Sequence, residues 1–130
     1  MTADPLISLN TIAQAIFDKK GFNILALDVR GVSSLTDFVI IAEGNVDRHV
    51  KSIGNAVMSS LKDLGLRPYY TEGLTTGDWV VLDYMDIMVH LFMPGLRDKY
   101  MLEQLWRDGT IIDLHIDTAP KEAAVNSLMS

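Results

Sequence analysis

The sequence predicts an α/β domain in which helices pack on a mixed five-stranded sheet. Apolar residues from Val46 to Leu64 recur at spacings of four, three, four, four and three, which is typical of one face of an α-helix. The continuous apolar run of residues 38–42 indicates a strand that is covered on both faces. Two further apolar segments, residues 78–84 and 87–93, flank a short polar turn and predict a β-hairpin.

The first half of the chain alternates helices and strands. Apolar residues at helical spacing from Leu9 to Phe17 predict a first helix, which the lysines and glycine of residues 19–21 terminate. Residues 24–27 predict a buried strand that ends at Asp28, and a loop leads to the strand at residues 38–42. Asn45 is the predicted N-cap of the second helix, which ends at Gly65.

The second half is mostly strand. Residues 69–72 predict a short third strand before the hairpin. Alternation in the first hairpin strand places Trp79, Val81 and Asp83 on one face of the sheet, with Val80, Leu82 and Tyr84 on the other. Neither set is fully polar, so we expect both faces of the hairpin to make contacts. A short helix is predicted next, and residues 111–117 alternate like an edge strand.

The composition indicates a single globular domain. The chain has 130 residues, 48% of them hydrophobic and 22% charged, which is enough to bury a core. We expect the domain to span residues 1–107, followed by a C-terminal extension at residues 108–130. The chain has no cysteine, which excludes disulfides, thiolate zinc sites and a thiol nucleophile.

The net charge and the first residues of the chain indicate the kind of partner and the cellular compartment. A net charge of −6 disfavours a phosphate backbone as the main partner, because such binding needs a basic face, and favours a basic protein. The first residues lack the pattern of a signal or transit peptide. We therefore expect a cytoplasmic protein without membrane contact.

One segment has features of an enzyme. In residues 31–38 a Gly-Ser turn precedes Asp37 at a strand start, as in the nucleotidyltransferase superfamily, where two carboxylates one residue apart on a strand hold divalent metals. Here Phe38 and Val39 follow Asp37, and neither Asp28 nor Glu43 has the required spacing. The favoured interpretation is a capped turn, and the alternative is a metal site.

Other catalytic patterns are missing from the sequence. None of the three histidines, His49, His90 and His115, lies in a zinc-binding pattern, and we expect His90 to be hydrogen-bonded within the sheet. No nucleophile elbow, phosphate loop or dinucleotide fingerprint occurs. We expect no catalytic residue, no metal and no cofactor.

A binding surface is the better hypothesis. Aromatic residues, Met and Arg are favoured at protein interfaces, with charges around the rim. The segment from Trp79 through Met93 and Pro94 to Arg97, Tyr100 and Glu103 supplies these residue types.

Several blocks of the chain resemble the ribosomal silencing factor family, also called the Iojap family. They are residues 28–38, 44–50, 72–73, 78–79, 83, 86–90 and 97–106, in the family's order, so that the resemblance covers about residues 9–107. One departure is Met85 in the hairpin turn, where many members have glycine. If that turn needs a positive φ, Met85 is strained by about 1 kcal/mol or a little more.

The resemblance implies a nucleotidyltransferase-like fold without catalytic carboxylates. It also implies a non-enzymatic factor that binds the large ribosomal subunit through its fourteenth protein, blocks joining of the small subunit and lowers translation. Family members are often homodimers away from the ribosome. Carried onto this chain, the contact surface is Trp79, Asp83, Met93, Arg97, Tyr100 and Glu103.

Two alternatives remain open. One is a factor that docks on the large subunit during its assembly. The other is a metal-dependent nucleotidyltransferase that uses Asp37 with Asp28 or Glu43.

Overall fold

A computed structural model describes residues 4–97 and 107–119 of the chain. It has the predicted α/β architecture, with helices on a mixed sheet whose strand order is β3-β4-β5-β2-β1-β6. The elements are α1 (Pro5–Asp18), β1 (Phe22–Asp28), β2 (Phe38–Glu43), α2 (Asp47–Asp63), β3 (Tyr70–Glu72), β4 (Trp79–Asp83), β5 (Ile87–Phe92) and β6 (Thr110–Ile111). The central pair β2–β5 is parallel, and the other pairs are antiparallel.

The sheet has six strands rather than the predicted five, because β6 pairs with the edge of β1. The predicted edge strand of residues 111–117 is wrong in extent, since strand pairing stops at Ile111. Beyond it, the N–H of His115 donates to Asn10 Oδ1 at 2.8 Å, and the N–H of Asp117 donates to Gln14 Oε1 at 2.7 Å. Side chains of α1 thus accept the backbone hydrogen bonds that a neighbouring strand would accept.

The two helices begin in different ways, and the start of the second differs from the prediction. Helix α1 begins at Pro5, where Asp4 Oδ1 accepts the N–H of Leu6 at 2.9 Å. The predicted N-cap Asn45 is wrong, because α2 begins at Asp47 after Val46, which makes no side-chain capping bond. The N–H of Asn45 instead donates to Nδ1 of His49 at 2.8 Å. The predicted end of α2 is confirmed, with Gly65 at φ 81°.

The core lies on both sides of the central strands. Helices α1 and α2 cover one face, which we call the helical face, where Ile12, Ile53 and Leu91 are fully buried. On the second face, Val39 and Phe92 are also fully buried. As predicted for a run without polar positions, every residue of β2 is buried. None of the helices in the described residues is long and apolar enough to span a membrane.

A buried ion pair closes one end of the second face. Nη1 of Arg97 lies 3.2 Å from Glu43 Oε2, and only 9% and 11% of the two side chains are exposed. Nη1 also donates to the carbonyl oxygen of Asn23, and the side-chain amide of Asn23 donates to Glu43 Oε2 at 2.8 Å. The carboxylate therefore has two donors within the fold, and the guanidinium joins the chain after β5 to β1 and β2.

The hairpin turn has the backbone conformation that the sequence suggested. Met85 has a φ of 72°, a left-handed value that side chains with a Cβ atom disfavour. Asp83 Oδ1 accepts the N–H of Met85 at 2.8 Å and holds the turn in place. The Met85 side chain is 61% exposed and contributes little to the core.

Met85→Gly should stabilise the protein by about 0.5 kcal/mol, since relief of left-handed strain of about 1–2 kcal/mol outweighs the added freedom of glycine in the unfolded chain, about 0.5–1 kcal/mol. Urea unfolding measures the change. Met85→Ala is the matched control, because it removes the same exposed side chain and keeps the Cβ atom. An equal gain from alanine would contradict the strain explanation.

Arg97→Met should lower the free energy of unfolding by about 3 kcal/mol, because it leaves the buried Glu43 carboxylate without its cation. Thermal or urea unfolding measures the loss. Adding Glu43→Leu should recover part of it, since the uncompensated charge is then removed as well. A single variant as stable as the wild type would show that the pair is not held inside the fold.

Candidate functional site

Strand β4 places its alternate residues on opposite faces, as predicted. Val80 and Leu82 are fully buried against the helical face. Trp79, Val81 and Asp83 lie on the second face and are half-buried. This end of the second face is more open to solvent than the centre of the sheet, where Val39 and Phe92 are fully buried.

An aromatic cluster surrounds Trp79. The indole Nε1–H donates to Nδ1 of His90 at 3.2 Å. The Trp79 and Phe92 ring centroids are 5.1 Å apart, and the His90 ring stacks parallel to Phe92 at 6.1 Å. Because Nδ1 accepts a hydrogen bond, neutral His90 carries its proton on Nε2. The prediction of a hydrogen-bonded sheet histidine is confirmed.

Burial controls the protonation of His90. The side chain is 5% exposed, and loss of hydration lowers the pKa of His90 from 6.5 to about 4. The imidazole is therefore neutral at physiological pH and can accept the indole hydrogen bond. The orientation of Trp79 depends on this acceptor.

Strand pairing adds residues that the sequence analysis missed. Tyr70 pairs with Asp83 and Glu72 pairs with Val81, so both residues of β3 share the second face with β4. Tyr70 is 52% exposed. The aromatic pair at residues 69–70 was visible in the sequence, but only the register between β3 and β4 places Tyr70 beside Asp83. We call Tyr70, Glu72, Trp79, Val81 and Asp83 the β3–β4 surface.

The structure brings together only part of the predicted contact set. Trp79 and Asp83 lie on the β3–β4 surface, roughly 13 Å apart along the strand. Met93 instead packs against the helical-face core. Arg97 is buried and pairs with Glu43 within the fold. Tyr100 and Glu103 lie outside the described residues, and the role of the whole set in contacts stays a prediction.

The three candidate metal-binding carboxylates do not form one group, because Asp28 and Asp37 lie at the same end of the β1–β2 pair and Glu43 lies at the other end of β2. Asp28 forms an ion pair with Arg30 at 2.6 Å, and this hydrogen-bonded guanidinium lowers the pKa of Asp28. Asp37 precedes β2 and Glu43 ends it, so they are separated by roughly 20 Å of extended chain. Among residues 4–97 and 107–119, no three His, Cys, Asp or Glu side chains are grouped closely enough to hold a metal ion.

The stability of the protein should fall as the pH falls from about 6.5 to about 4. Over this range the unfolded chain binds a proton at His90 that the folded protein excludes. Between pH 7 and pH 5 the contribution is about 2 kcal/mol. Urea unfolding at several pH values measures it, with His90→Gln as the control that cannot titrate. Equal pH dependence in both proteins would contradict the buried neutral state.

Comparison with known proteins identifies the family. The family model described as "Ribosomal silencing factor during starvation" matches residues 2–128. A ribosomal silencing factor of Bacillus subtilis is 36% identical over 106 residues, covering 82% of this chain and 90% of the relative. "Mitochondrial assembly of ribosomal large subunit protein 1" of Mus musculus is 28% identical over 107 residues, covering 77% of this chain and 47% of that protein. A crystal structure of a Chromobacterium violaceum protein has a TM-score of 0.78 at 32% identity, covering 90% of this chain and 97% of that one. The chain belongs to the ribosomal silencing factor family.

Proposed function

We propose that this protein represses translation by binding the large ribosomal subunit through its fourteenth protein and blocking the joining of the small subunit. The observation that carries the proposal is the match of the silencing factor family over residues 2–128. The fourteenth protein as partner is what the sequence resemblance implies, and the charge of the chain supports it. Ribosomal proteins are basic, so a net charge of −6 favours their encounter.

The β3–β4 surface has the chemistry of a protein-docking site. Trp79 is half-buried, with one edge fixed by His90, and Tyr70 stands exposed on the neighbouring strand. Aromatic side chains that are already held in place lose little conformational freedom on binding and are frequent energetic anchors. Glu72 and Asp83 add negative charge around them, which complements a basic partner.

The proposed mechanism is occlusion without a chemical step. Bound factor covers a surface that the small subunit needs, so its affinity for free large subunits competes by mass action with subunit joining. Ribosomes that are already assembled resist, since their contact surface is covered. The factor acts in the cytoplasm, needs no cofactor and forms a homodimer away from the ribosome.

Trp79→Ala should weaken binding to purified large subunits by about 2 kcal/mol, because it removes an aromatic anchor. Tyr100→Ala should act in the same way. Tyr70→Ala tests the surface with less loss of core packing, since this side chain is half-exposed. Cosedimentation at several factor concentrations measures the affinities.

The matched control is Leu6→Ala on α1, which removes an apolar side chain of similar exposure, 51%, from the opposite side of the sheet. It should bind as the wild type does. Unchanged binding in the Trp79, Tyr70 and Tyr100 variants would refute the assigned surface. If the variants that bind large subunits less tightly also inhibit the joining of the small subunit less, the result would support occlusion.

A role in large-subunit assembly is the second candidate. The mouse relative is named for that process, which favours it for this chain as well. Sucrose gradients of cells that lack the protein distinguish the two. Accumulated large-subunit precursors would indicate assembly, whereas continued translation during starvation with normal mature subunits would indicate silencing.

A further inference from the structure

A groove on the outer surface of the helices is lined by several basic residues, although the protein as a whole is acidic. It lies between α1 and α2 and has a volume of about 710 Å³. Lys19 from the end of α1 and Arg48 and Lys51 from the first turns of α2 line it. Among its described lining residues, Asp18 carries the only negative charge.

The side chain of His49 links the end of α1, which carries Lys19, to the start of α2, which carries Arg48 and Lys51. Its Nδ1 accepts the N–H of Asn45, so Nε2 carries the proton and donates to the carbonyl oxygen of Lys19 at 2.6 Å. This bridge joins the end of α1 to the start of α2. The lysine of one helix and the cations of the other therefore lie at the same end of the groove.

These cations are available for an external partner. Among residues 4–97 and 107–119, the ion pairs are Arg30–Asp28 and Arg97–Glu43, and neither involves the groove. The stem of Lys51 lies against Gly77, where a Cβ atom would come within 2.9 Å of Lys51 Cε. Three further lining residues, Ser52, Asn55 and Ser59, offer hydrogen-bond donors along the groove.

We propose that this groove binds the sugar-phosphate backbone of RNA. Clustered cations with neighbouring hydroxyl and amide donors recognise phosphate without reading sequence. The choice of RNA over an acidic polypeptide rests on the proposed function, because RNA is the main polyanion of a ribosomal subunit. The helices lie on the opposite side of the sheet from the β3–β4 surface, so the groove stays open when that surface is docked.

The double variant Arg48→Glu/Lys51→Glu tests the groove. Filter binding to protein-free large-subunit RNA at low salt should show an affinity loss on the order of tenfold or more. The slope of log affinity against log salt concentration should also fall by about 1–2, since phosphate contacts made through these cations are lost.

Lys62→Glu/Arg67→Glu is the matched control. It changes the net charge by the same amount at exposed residues that do not line the groove, so it should bind RNA nearly as the wild type does. Circular dichroism should show that all three proteins are folded. Equal losses in both double variants would mean that only net charge matters and would overturn the proposal.

Two further results separate the possible failures. Polyglutamate that competes as well as RNA at equal charge would assign the groove to an acidic polypeptide and overturn the RNA assignment. Large-subunit cosedimentation tests the proposed function separately: a wild type that binds free RNA but not subunits would refute the silencing mechanism and leave the groove assignment standing.

Discussion

The exclusion of water from both faces of β2 is the constraint on which the rest of the structure depends. All six residues of β2 are buried, and the strand pairs with β5 on one side and β1 on the other. Such a strand is stable only if separate layers cover it, because its apolar side chains point in both directions. Helices α1 and α2 supply one layer, and Leu96 packs against the other face. Half-buried and exposed side chains of the second face are consequently found on β3 and β4, away from the centre.

The two sides of the sheet differ in the charge of their exposed residues, and the net charge of −6 does not show this difference. The β3–β4 surface combines aromatic rings with Glu72 and Asp83, whereas the helical side carries the basic groove. In each site a histidine accepts a hydrogen bond through Nδ1. His90 orients the indole of Trp79, and His49 joins the helix ends that carry the cations. Because the two surfaces lie on opposite sides of the sheet, a partner bound at one would leave the other accessible.

Much of the fold was predictable because hydrophobic periodicity reports local backbone geometry. The stripe from Val46 to Leu64 predicted α2, and alternation in β4 placed Trp79 and Asp83 on one face. The contact set was less predictable, since interface residue types and core residue types overlap. Met93 and Arg97 are of residue types that are common at interfaces, yet Met93 packs on the helical-face core and Arg97 is 8% exposed. Their burial depends on residues far away in the chain.

The sequence by itself determined the kinds of elements, the position of the hairpin turn and the family resemblance, because each is encoded in local residue order. Only the tertiary structure decided which distant groups meet. Arg97 reaches the carboxylate of Glu43 across 54 positions of the chain, and the ring of His49 reaches the backbone carbonyl oxygen of Lys19 across 30. The sixth strand likewise forms only because β1 presents an open edge to Thr110 and Ile111. Pairings of this kind depend on how the whole sheet and both helices pack together. A short sequence pattern carries no information on that packing.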